Sequence, residues 1–178
     1  MIPKELDFQN IKEIYEKLTP FIKKTPIVRA SKSMEKIFNT NLFLKLEFFQ
    51  HSGTFKARGA VNNILNLSDT QKKLGVTAVS AGNHAIATSF AANKFGIKNK
   101  VFMYKSANSF RINCVKSYNA NIILSNPKEA FINVEKVSKE NGYTIIHPFD
   151  GINTIQGTAS LGYEISNQIK ELDNIIIS

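Results

Sequence analysis

Short apolar runs recur along the chain, each separated from the next by a longer stretch of mixed character. The apolar runs read as strands at 42–47, 76–80, 100–104, 121–125, 143–146 and 174–178. The stretches between them read as helices at 55–66, 84–95, 109–118, 128–140 and 154–170. An earlier helix is expected from Phe8 to Leu18, capped by Asp7 and ended before Pro20. Thr25-Pro26 then breaks the chain and leads into an extended segment. Strands alternating with helices of this length predict an α/β fold with right-handed crossovers and a parallel sheet. Such a sheet takes ligands beyond the C-terminal ends of its strands. No internal repeat or low-complexity linker interrupts the alternation.

Two junctions between a strand and a helix carry chemistry. Ser-Gly-Thr-Phe-Lys-Ala-Arg-Gly, 52–59, places Lys56 where one run ends and the next begins, between Gly53 and Gly59. Glycines let backbone or ligand approach closely. A desolvated lysine there loses basicity and can form a Schiff base with an aldehyde; the alternative is a surface lysine at a helix N-terminus. At the second junction, Ser80-Ala81-Gly82-Asn83-His84 opens the helix that Gly96 stops. Its free N–H groups and helix dipole suit a carboxylate or phosphate. The alternative is that Ser80 or Asn83 simply caps the helix.

Composition narrows the choice. At 178 residues and 43% hydrophobic content the chain can bury a substantial core. No apolar run approaches the roughly 18 residues of a membrane span, and Met-Ile-Pro-Lys-Glu-Leu-Asp lacks a signal-peptide core. One cysteine, Cys114, rules out an internal disulfide and fits a cytoplasmic location. The net charge of +9 is spread over scattered lysines, with no basic stripe interleaved with aromatics, so no nucleic-acid partner is expected. No His, Cys and carboxylate spacing suggests a metal.

Taken together, Lys-Leu-Glu-Phe-Phe-Gln-His-Ser-Gly-Thr-Phe-Lys-Ala-Arg-Gly-Ala (45–60) and Ser-Ala-Gly-Asn-His-Ala (80–85) resemble the two signature motifs of fold-type II pyridoxal-phosphate enzymes. The branch they resemble is that of the serine/threonine dehydratases and serine racemases. His-Pro-Phe-Asp (147–150) and Gln-Gly-Thr (156–158) agree, and the resemblance runs from about Thr25 to Ser178. It implies a three-layer α/β/α architecture and pyridoxal 5'-phosphate as cofactor. It also implies that residues 1–74 and 151–178 belong to a large cofactor domain and 75–150 to a small mobile one. In the family a glycine-rich phosphate loop follows the strand expected at 174–178, so the chain is expected to be the N-terminal portion of a longer enzyme, itself a homo-oligomer.

The same resemblance assigns roles. Lys56 would form the Schiff base and move the proton at the substrate Cα. Phe55 would pack against the cofactor ring, and Asn83 would bond its phenolic oxygen. Ser80, Ala81, Gly82, Asn83 and His84 would hold the carboxylate of a small amino-acid substrate. The implied reaction is β-elimination from threonine or serine to 2-oxobutanoate or pyruvate with ammonia. Racemases of this branch carry a serine where this chain has Ala81, which favours dehydratase over racemase. β-Replacement enzymes of the superfamily differ around the asparagine loop. A non-catalytic α/β fragment is the other alternative. Tyr104, Asn119 and Ile155 depart from the family pattern, where a proline and two glycines are usual.

Overall fold

The computed structural model describes residues 3–177; Met1, Ile2 and Ser178 lie outside the described residues. The first helix, α1 (Phe8–Leu18), begins where Asp7 accepts the Asn10 N–H at 2.7 Å. It buries Ile11, Ile14 and Leu18 on one face. After Pro26 the chain forms β1 (Ile27–Arg29), α2 (Lys32–Phe38) and β2 (Phe43–Lys45). Two short 3-10 turns, Glu47–Phe49 and His51–Gly53, lead into α3 (Lys56–Leu65), followed by α4 (Asp69–Leu74).

A parallel sheet comes next, built from β3 (Val76–Val79), β4 (Asn99–Tyr104), β5 (Asn121–Ser125) and β6 (Thr144–Ile145). The connections are α5 (Asn83–Lys94), α6 (Ser109–Ser117) and α7 (Pro127–Asn141). The strand order is β5-β4-β3-β6. α5 and α6 cover one face, where Ala85, Ile86 and Val115 meet Val101 and Met103. α7 covers the other, with Ala130 and Val134 on Val79 and Phe102. Every residue of β3 is buried, as a strand covered on both faces requires. The three-layer expectation holds for this part of the chain.

A second core joins α1, α3 and α5 around Leu18, Val61, Ile64 and Ala91, and Ile146 enters it from the end of β6. α8 (Ile152–Gln168) lies across α3. Gly157 makes that crossing possible. A Cβ there would stand 2.6 Å from the Arg58 carbonyl oxygen and 2.8 Å from the Gly59 Cα. Gly96, at φ 66°, ends α5 in the left-handed region.

Two expectations need correction. The run at 42–47 does not join the parallel sheet: β2 pairs antiparallel with β1, with Val28 opposite Leu44. The intervening α2 buries none of its residues, so it turns the chain back instead of bridging a sheet face. The run at 174–178 forms no strand over 174–177. Ile176 is 93% exposed, and without a neighbouring strand its backbone has no ladder to join. Among the described residues no helix is long and apolar enough to cross a membrane.

Candidate active site

The sheet order reverses beside β3. β4 and β5 build outward on one side, and β6 returns on the other. The C-terminal ends of β3 and β6 therefore frame a topological switch point, the usual place for a ligand crevice in an open parallel sheet. β3 leads into Ser80–His84 and β6 into Ile146–Asp150. Lys56, at the first turn of α3, reaches into the same place. Its Nζ donates to the Pro148 carbonyl at 2.9 Å. Burial alone lowers the Lys56 amine from the ordinary lysine value.

The turn after β3 is shaped by its own backbone. Ser80 Oγ accepts the Gly82 N–H at 3.1 Å. Gly82 stands at the N-cap of α5, and no side chain caps that helix. The N–H groups of its first turn thus remain free for an acceptor. Ser80 and Ala81 are half-buried, Gly82 is buried, and Asn83 is exposed at the helix start. His84 is buried at 5% exposure, and its Nε2 lies 2.8 Å from the Ile146 carbonyl oxygen. Desolvation pushes the His84 imidazole down to about 4, against a partial gain from the bond to Ile146, with Lys56 and His147 adding repulsion.

The structure brings Lys56 and His84 together on the exit of β6. Phe55 stays beside the lysine, its ring centroid 5.4 Å from Nζ. Asn83 lines a cleft of about 510 Å³ whose walls include Ser52, Gly53, Thr54, Phe110 and Arg111. Lys56 is not part of that wall. Reading the sequence missed Arg111, whose guanidinium lies against Gly82. Ser52 opens the lysine motif but received no role of its own; it is held at φ 62° with its hydroxyl buried and unpartnered. Arg111 carries no local signal, because a helical arginine acquires meaning only from what the fold sets beside it. Among the described residues no group of three His, Cys, Asp or Glu could hold a metal.

Beneath the lysine helix lies a buried charge cluster. Arg58, fully buried, donates to Glu47 and to Glu164. Glu164 also accepts from the Thr25 N–H and from Lys45. Burial by itself would raise the Glu164 carboxyl, but the bonds from Arg58 and Lys45 outweigh it and hold the group below the usual carboxylate value.

The family of pyridoxal-phosphate dependent enzymes matches residues 18–178. The chain belongs to this family. It is 40% identical over 172 residues to a phenylserine dehydratase of Ralstonia pickettii, covering 96% of this chain and 52% of that protein. It is 37% identical to the catabolic L-threonine dehydratase of Staphylococcus aureus, covering 94% of this chain and 49% of the other. Among solved structures, maize serine racemase superposes with a TM-score of 0.89 at 34% identity, over 94% of this chain and 51% of that one. The chain spans about half the length of the relatives it matches.

The residues present fit the reactive end of the family's cofactor. Lys56 offers a partly desolvated amine, whose lowered basicity favours attack on an aldehyde. The uncapped start of α5 offers donors for an anion next to it.

Proposed function

We propose that this chain carries the lysine-bearing half of a pyridoxal-phosphate dependent dehydratase acting on L-threonine or L-serine. The observation that carries the reading is the desolvated Lys56 amine at the switch point between β3 and β6. Its dehydratase relatives support the reaction class.

Bound there, the cofactor would supply an aldehyde for the substrate amine and a ring able to hold the electron pair left at Cα. Lys56 would anchor the cofactor and then move the proton at Cα. Phe55 would flank the ring and Asn83 would bond its phenolic oxygen. The N–H groups of the Ser80–His84 turn would orient the substrate carboxylate. Ala81 has no proton to exchange, so this reading favours dehydration over racemisation despite the likeness to a serine racemase. Residues 75–150 would move as a unit against 1–74 and 151–178, with Gly75 and Gly151, both at positive φ, at its two ends.

The test is a visible-absorbance titration of the chain with pyridoxal phosphate, with Lys56→Ala in parallel. A saturable band at micromolar cofactor, absent from the variant, is expected. Keto-acid release from L-threonine and L-serine is then measured. Equal bands in both proteins would sink the reading.

A further inference from the structure

Three successive carbonyls leave β6, and each is held by a side chain from a different helix. Ile146 O lies 2.8 Å from Nε2 of His84 on α5. His147 O accepts from Thr154 Oγ1 on α8 at 3.2 Å. Pro148 O accepts from Lys56 Nζ on α3 at 2.9 Å. The backbone of Ile146 is further tied to β3, its N–H donating to Thr77 O at 2.9 Å. Thr154 is itself oriented by Asn63 of α3, whose amide donates to it at 2.9 Å. The segment that receives the lysine is thus fastened from three helices within three residues.

The His84 bond is the one that commits a buried ring. A carbonyl only accepts, so Nε2 must carry the proton and donate. Thr88 Oγ1, at 3.5 Å, is too distant to compete for it. The ring is neutral at ordinary pH, since desolvation opposes its charging. Its place inside the Ser80–His84 turn is therefore occupied by holding backbone, not by reaching solvent or substrate.

We propose that His84 is a positioning residue for Lys56, acting through the Ile146–Pro148 backbone to fix the carbonyl on which the lysine amine rests. It links the two sequence motifs across the switch point. One motif supplies the amine, and the other holds the acceptor that aims it. Thr154 braces the same segment from α8. The charged and titratable neighbours that bear on this cluster are Lys56, His84 and His147. Release of the segment admits water to the amine, and the amine's basicity then returns toward that of an exposed lysine.

The proposal rests on Lys56 being the cofactor lysine, but its test needs no cofactor. The intact chain is labelled with trace acetic anhydride across a pH series. Modification of Lys56 is read by peptide mass spectrometry against the exposed lysines of the same sample. His84→Leu keeps the bulk and removes the donor; His84→Gln keeps an N–H donor. Circular dichroism establishes that each variant is folded. In His84→Leu the midpoint for Lys56 is expected to rise toward that of the exposed lysines, so its labelling near neutral pH falls severalfold. In His84→Gln it stays near that of the parent. An unchanged midpoint in His84→Leu, or an equal rise in both variants, overturns the proposal. If His84→Leu does not fold, Thr154→Val takes its place with the same expected rise, and an unchanged midpoint there overturns it equally. Failure of pyridoxal phosphate to bind any of these proteins would count against the functional reading alone, because the labelling does not depend on it.

Discussion

The guanidinium of Arg58 meets the carboxylate of Glu164 at 3.1 Å, with side-chain exposures of 0% and 1%. This pair ties α3, which starts at Lys56, to α8, and Glu47 and Lys45 extend it to the segment before the lysine. Taking two charges out of water is costly, and the cost is offset only while both partners remain.

We predict that Arg58→Met destabilises the chain by about 3–5 kcal/mol, because it leaves Glu164 and Glu47 without their main partner. Urea unfolding measures it. The loss should shrink in acid. The Glu164 carboxyl is held low in the fold, so its contribution is full above the unfolded carboxylate value and fades as pH falls through the lower folded one. A penalty that is small at neutral pH would show that the cluster is not structural.

The helix crossing offers a paired test. Gly157→Ala drives a methyl into the backbone of α3, where Arg58 O and Gly59 Cα leave 2.6 and 2.8 Å. We expect a loss of about 1–3 kcal/mol as the helices separate, together with weaker pyridoxal-phosphate binding, since α3 carries Lys56. Gly162, on the same helix, has nothing within 4 Å of an added Cβ. Gly162→Ala should stabilise by about 0.5–1 kcal/mol through helix propensity alone. Equal effects at the two positions would refute the close approach.

Much of this architecture is legible in the chain, for identifiable reasons. α1 follows its Asp7 cap, and β3 and β4 follow their apolar runs, because each buries what its own pattern presents; β5 also follows its apolar run, but as the edge strand it leaves Leu124 exposed. α4 escaped notice although it has a reciprocal cap, Ser68 with Gln71, since six residues give too little periodicity to read. The antiparallel pairing of β2 was hidden because a strand's apolar pattern does not name its partner. At the site, Lys56 stood out as a side chain at a junction. Its acceptor did not, because Pro148 acts through a backbone carbonyl that any residue would offer, and only the strand order brings it to α3.

Ser52 sits at φ 62°, a conformation that suits glycine, with its hydroxyl oxygen buried and unpaired. Both features cost stability. Ser52→Gly should therefore raise stability by about 1 kcal/mol in urea unfolding. A lower stability would mean that the hydroxyl has a partner in solution, within the loop that carries Gly53 and Thr54 toward Lys56.

The buried imidazole of His84 gives the fold a pH dependence of its own. Its value falls from 6.5 to about 4 on folding, so the unfolded chain takes up a proton over a range where the native one does not. Stability from this residue is full above the unfolded value and is lost as pH drops from there through the folded one. The whole excursion amounts to roughly 3 kcal/mol. His84→Gln cannot titrate, yet it keeps a donor for Ile146. Urea midpoints for the parent should fall more steeply between pH 7 and pH 4.5 than those of the variant, and the gap between them should narrow toward acid. Parallel profiles would mean that His84 charges as readily in the native chain as in the unfolded one, and that the ring is not sealed between α5 and the exit of β6.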